Sequence, residues 1–134
     1  MNVMWTTVQP LRAQHAGDAV TARLQEGNPI AAADIAMIAT HRNPLSPEPW
    51  WELAVARAAG GDLQAAQRAL ERAVRVQPAN PETWRRLGRL RLSALAEPRP
   101  ALRDFQAALF LDPQDPQSQS DVIEASRAVG VPAP

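Results

Sequence analysis

His15 and His41 are the only imidazoles in a chain that has no cysteine, so metal or acid–base chemistry would have to begin with them. They fall in different predicted helices, without the i, i+4 spacing of a metal pair. Asp18 lies one turn from His15, a spacing that solvated polar residues on an exposed helix also show. His41 falls near a predicted helix C-terminus, where an imidazole meets the favourable end of the helix dipole. Glu48 and Glu52 are one turn apart and resemble a carboxylate pair by spacing alone; Glu48, in a first turn, answers to the same dipole. No GxSxG, CxxC, HExxH, phosphate-binding glycine loop or dinucleotide fingerprint is present, so neither an enzyme nor a cofactor or metal site is indicated. Two other features carry recognition chemistry. Arg85, Arg86, Arg89 and Arg91 crowd one predicted helix, with Arg85 and Arg89 on a shared face and Arg86 pointing away. Guanidinium pairs carboxylate in a bidentate fork, which suits an acidic peptide segment or a C-terminal carboxylate; a solvated, helix-favouring surface is the default for such a helix. Trp51 follows Trp50 and is rotated about 100° from it round the helix, so the two indoles face different surroundings.

The elements that must position these residues repeat. From the stretch Pro47 to Asn80, landmarks recur 34 residues away in both directions. Forward, Pro47, Glu48, Trp50 and Leu53 match Pro81, Glu82, Trp84 and Leu87, and Ala54 answers to Gly88. Backward, Gly61, Ala66, Ala73 and Pro78 match Gly27, Ala32, Ala39 and Pro44. A fixed period of this length marks a stacked array in which each unit buries its apolar face against its neighbours. Beyond Gly88 the offset becomes 35, from Ala66 to Ala101 and from Pro78 to Pro113. The extra residue is expected in the turn between helices, where insertions are tolerated.

Punctuation places the helices. The first starts after Pro10 and stops at Gly27, with Leu11, Ala19, Val20 and Leu24 inward. Asn28 and Pro29 open the second, in which Ile30, Ala33, Met37 and Ile38 supply bulk and Ala32, Ala36 and Ala39 permit close approach. Ser46 and Pro47 open the third, closed by Gly60 and Gly61; Asp62 caps the fourth, whose stripe is Leu63, Ala66, Leu70, Ala73, Val74 and Val76. Asn80 and Pro81 begin the next pair, its second helix running from about Pro100 to Leu111. Asp115 and Pro116 open a last helix to Val129, with Val122, Ile123, Ala125 and Ala128 on one face. Gln117, Ser118, Gln119, Ser120, Asp121 and Glu124 give it a polar outer surface. Trp50 and Trp84 are expected between paired helices.

At 134 residues with zero formal net charge and a pI near 6.7, the chain is one domain's worth of material with no global field for nucleic acid or an anionic bilayer. All fourteen basic residues are Arg, which beside so much Ala and Pro reads as the bias of a GC-rich genome. No run approaches the 18 apolar residues of a spanning helix and no secretory signal opens the chain, so a cytoplasmic location is expected. Met1, Val3, Met4, Trp5 and Val8 form a short apolar lead.

The repeated unit resembles the tetratricopeptide repeat (TPR). The residues that carry it are Trp50, Leu53, Ala54, Gly61, Ala66, Leu70, Ala73 and Pro78, then Trp84, Leu87, Gly88, Ala101, Phe105, Ala108 and Pro113. A weaker first copy keeps Gly27, Ala32, Ala36, Ala39 and Pro44 but carries Ala16 in place of the Trp. The resemblance implies an all-α fold: a right-handed superhelical solenoid of about three helix-turn-helix units plus a C-terminal capping helix. Its divisions are an apolar lead over 1–10 and a single domain over 11–129, with repeats at about 13–46, 47–80 and 81–114 and a cap at 116–129; 130–134 is a frayed tail. So few units sit near the lower limit for a self-supporting array, which points to weak self-association.

In such arrays the concave groove is lined from the first helix of each pair. That places Trp51, Val55 and Ala58, then Arg85, Arg89 and Leu92, on the partner-binding face, with Glu82 in the first turn beside them. The implied function is a non-enzymatic scaffold that holds a peptide or a helix of another protein, with an acidic segment matching the arginines. The alternative for Trp51 is cover by the first-repeat helix. The chaperone-tail carboxylate clamp of some family members requires Lys and Asn where Gly17, Thr21, Trp51 and Val55 stand, which disfavours that partner class. A fainter resemblance links QPLR, NPLSPEPWWELA, QPANPETW and LDP to the repeat tails of bacterial O-antigen ligase-like membrane proteins. It implies the soluble end of a membrane-tethered polypeptide, serving assembly or recruitment in surface-polysaccharide synthesis.

Overall fold

The computed structural model describes residues 16–130, and among them every regular element is helical. Helix α1 is described over residues 16–25. It is followed by α2 (Pro29–Arg42), α3 (Glu48–Ala59), α4 (Leu63–Val76), α5 (Pro81–Arg89), α6 (Pro98–Leu111) and α7 (Pro116–Val129). The expected helix start after Pro10, Leu11, His15, the apolar lead and the tail past Gly130 lie outside the described residues.

Short polar side chains start most of these helices. Asn28, Asp62 and Asn80 accept from the first-turn N–H groups of Ala31, Ala65 and Glu82 at 3.1, 3.0 and 3.0 Å. Asp115 accepts from both Gln117 and Ser118 at 3.2 Å. Each bond satisfies a donor that the helix itself cannot. Ser46 departs from the expectation: Pro47 is the N-cap of α3 and makes no side-chain cap, because the Ser46 hydroxyl donates instead to the Glu48 carboxylate.

Helices α1 and α3 end alike. Gly27 and Gly61 adopt φ of +73° and +85°, and the next N–H, of Asn28 or Asp62, reaches back five residues to Arg23 or Arg57, both at 2.9 Å. Left-handed backbone suits glycine, which has no Cβ to clash. The third copy places Ala96 there, at φ +53°, and the Glu97 N–H reaches back six residues to Arg91 at 2.8 Å. The additional residue is therefore in the helix and not in the turn. A five-residue π-helical segment, Leu90–Ala94, prolongs α5, with the Leu95 N–H on the Leu90 carbonyl at 3.1 Å. A single π turn takes up one extra residue, so Gly61, Asp62 and Leu63 still map onto Ala96, Glu97 and Pro98, now 35 residues on.

The chain forms two compact units, with the sequence boundary between Ala69 and Leu70. In the first, α2 packs on α3 around Val20, Ala32, Ala33, Ala36, Leu53, Ala54 and Ala56. Ala33 is buried as expected, but Ile30, Met37 and Ile38 are exposed at 73%, 38% and 53%. An alanine face brings the two backbones close, and larger side chains would hold them apart. Trp50 is only half-buried.

In the second unit α6 packs on both α5 and α7, and Ala101, Phe105 and Ala125 form a core flanked by Leu92, Leu102 and Val122. Gly88 is a true close approach: a Cβ there would lie 2.7 Å from the Phe105 ring. Trp84 is half-buried, its indole N–H donating to the Pro78 carbonyl at 2.8 Å. On α7 the buried residues are Ser118, Asp121 and Ala125, whereas Ile123 and Ala128, expected inward, are exposed. The helix is rotated from its most apolar face because Asp121 is drawn inward by two arginines.

Candidate functional site

On α3, Pro49, Leu53, Ala54 and Ala56 are buried. Trp51, Val55 and Ala58 share one face at successive spacings of four and three residues, with buried Ala54 between Trp51 and Ala58. Val55 is 48% exposed; Trp51 and Ala58 are half-buried. Beside this face the Glu52 carboxylate crosses α1 at Gly17, its Oε1 only 2.7 Å from where a Cβ would stand. Thr21 donates its hydroxyl to the Gly17 carbonyl at 3.1 Å. The positions at which a carboxylate clamp would need cations thus hold a glycine, an occupied hydroxyl and a nearby anion.

In the second unit Glu82, Arg85 and Arg89 form one connected network. Glu82, in the first turn of α5, accepts from Arg85 at 3.3 Å and Arg86 at 3.1 Å. Arg85 Nε donates to Asp121 at 3.1 Å, and Arg89 donates to the other Asp121 oxygen at 2.6 Å. A second Arg89 nitrogen donates to both oxygens of Glu124 at 3.1 Å, and its guanidinium lies 5.3 Å over the Phe105 ring. The Asp121 side chain is 2% exposed and shared by two cations, which compensates the removal of its charge from water. Glu82, Arg85 and Arg89 remain partly open to solvent. Leu92, in the π segment, packs beside Ala101, Phe105 and Ala125.

A second ion-pair cluster was not legible as one. Arg91, in the π segment, donates to both oxygens of Asp104 at 2.9 Å and lies 3.7 Å from Glu71. Asp104 is buried at the position where the preceding copy carries buried Ala69, and burial pushes its carboxyl up to about 6, against the opposing pull of the Arg91 hydrogen bond and charge. An acid in place of a core alanine was the signal; the π turn that brings Arg91 to it was not. Asp121 and Glu124, assigned to a solvated outer surface, had a signal too: acids three residues apart on one helix match arginines four apart on another. Elsewhere, the Ser118 hydroxyl bonded to Asp115 holds that carboxyl below its usual range. His41 Nδ1 donates to the Met37 carbonyl at 2.9 Å. No cluster of three or more metal-ligating side chains occurs among the described residues, and none of the described helices is long and apolar enough to cross a membrane.

Residues 47–90 match the family model of the tetratricopeptide repeat. Searching curated proteins returns no significant match. Among solved structures, the first TPR of Spaghetti (RPAP3), bound to the HSP90 peptide SRMEEVD, superposes with a TM-score of 0.72 at 19% identity, over 88% of this chain and 93% of that one. The Sgt2 TPR domain of Aspergillus fumigatus gives 0.75 at 19% identity, over 89% and 80%. The Yersinia enterocolitica type III secretion chaperone SycD, in complex with a peptide of the translocator YopD, gives 0.69 at 13% identity, over 89% and 90%. These comparisons lend no support to the resemblance to O-antigen ligase tails. The alanine-faced helix pairs, the glycine-closed turns and the 34-residue spacing accompany a tetratricopeptide-repeat match in sequence over residues 47–90 and the fold of tetratricopeptide-repeat domains over most of the chain.

Proposed function

We propose that this protein is a non-enzymatic scaffold that holds a peptide or a helix of another protein on its groove-facing residues. The observation that carries this reading is the α3 face formed by Trp51, Val55 and Ala58: a half-buried indole beside a half-exposed valine. Trp is among the residue types enriched at binding hot spots. Two of the structurally similar proteins hold peptides, one from HSP90 and one from YopD.

The partner's chemistry follows from the charges. Arg85 and Arg89 already hold Asp121 and Glu124. An acidic partner segment therefore competes with α7 for these guanidiniums, while an apolar one docks on Trp51 and Val55. In the second unit, Glu82 lies beside Arg85 on α5 and stays partly open to solvent. Panning a displayed peptide library tests this. Wild type is expected to enrich a motif with apolar anchors that a folded Val55→Asp variant does not enrich. Equal enrichment by both proteins would remove this face from the function.

A further inference from the structure

Helix α2 carries its large side chains on the wrong side for a core. Ile30, Asp34, Met37, Ile38 and His41 are spaced by three and four residues and form one stripe about 100° wide, all of it exposed. The buried residues of the helix are Ala32, Ala33, Ala36 and Thr40, and the stripe is the side they leave open. Nothing in the groove reading uses it, since the groove residues are on other helices. Asp34, the acid within it, makes no ion pair among the described residues, and Arg42 is exposed at the helix end.

The stripe is complementary to itself when reversed. If two copies of α2 are laid antiparallel about a two-fold axis between Met37 and Ile38, Met37 meets Ile38 of the other copy. Asp34 meets His41, with the long side chain of Arg42 one position further on. Charge, apolar bulk and helix dipoles all match, each contact occurring twice as an isologous interface demands. We infer that α2 is a self-association face that pairs antiparallel with α2 of a second copy. The fourteen-residue helix is about 21 Å long, too short to bury the roughly 800 Å² per partner of a standard stable interface. The dimer is accordingly weak and reversible, forming at concentrations on the order of 100 µM.

Sedimentation equilibrium over a concentration series tests this, with helicity and melting temperature checked for each variant. Wild type is expected to shift from monomer to dimer. Ile38→Asp should weaken the dimer about tenfold or more without changing the fold, because Ile38 is exposed. Asp34→Arg and Arg42→Asp should each weaken it alone, yet form a heterodimer when mixed, since each then supplies the charge that the other needs. A wild type that stays monomeric throughout overturns the inference. So does an Ile38→Asp dimer of unchanged strength, or a mixture no tighter than its components.

Discussion

Gly88 and Phe105 show how one pair of residues can be exchanged between copies of a repeat. The preceding copy carries Ala54 and Leu70 at these places, both buried. The third copy moves volume from one side to the other: the ring of Phe105 occupies the space that a Cβ at position 88 would need. Gly88→Ala is therefore expected to destabilise the protein by about 1–3 kcal/mol through overpacking, although alanine is the better helix former. Phe105→Leu alone should leave a small cavity and also destabilise. The double variant should recover much of the loss, since the smaller leucine leaves room for the alanine Cβ that the Phe105 ring excludes. Chemical denaturation of the four proteins in a double-mutant cycle measures this coupling, and purely additive losses would contradict the exchange.

Among the elements, the prolonged α5 is the least regular. Its π turn absorbs the residue that lengthens the third copy, carries Arg91 to Asp104 and brings Leu92 to the Phe105 core. Reading Leu92 as a groove residue assumed that α-helical phase continues from Arg89, and a π turn breaks that phase. The turn that follows keeps the left-handed geometry of its two predecessors but has lost the glycine. Holding Ala96 at φ +53° costs about 1–2 kcal/mol relative to glycine, and the greater freedom of an unfolded glycine offsets part of that. Ala96→Gly is expected to raise stability by about 0.5–1 kcal/mol, read as a higher midpoint of urea denaturation at constant slope. Lower stability would mean that the left-handed turn is not under strain.

At the scale of the molecule, the buried acid sets a pH dependence. The Asp104 carboxyl titrates at 3.8 when unperturbed and near 6 in the fold. Between these values the native state binds more protons than the unfolded chain, so stability falls as pH rises through this window. The contribution is fully present below about 3.8 and lost above about 6. Asp115, held low by Ser118, works oppositely and in a different window, stabilising above 3.8 and losing its effect in stronger acid. Thermal melts from pH 4 to 7 should show melting temperature declining across the range, and Asp104→Asn should flatten the decline. An identical slope in the variant would remove Asp104 as its source.

The sequence alone determined the repeat length, the caps and stops of most described helices and the family likeness, because these rest on local signals. Asn28, Asp62, Asn80 and Asp115 cap by reaching only two or three residues along the chain, and Gly27 and Gly61 end helices through their own backbone freedom. It also placed Trp51, Val55 and Ala58 on one face, since helical phase runs unbroken through α3. What tertiary structure decided were matters of competition between distant groups. Alanine out-competed isoleucine for the inner face of α2 because two backbones must come close. Asp121 turned α7 because a shared carboxylate between Arg85 and Arg89 outweighs the burial of Ile123. The π turn was chosen for the extra residue because the left-handed turn beyond it, at Ala96, keeps the earlier copies' geometry. None of these outcomes is encoded within one turn of helix, so periodicity could not reveal them.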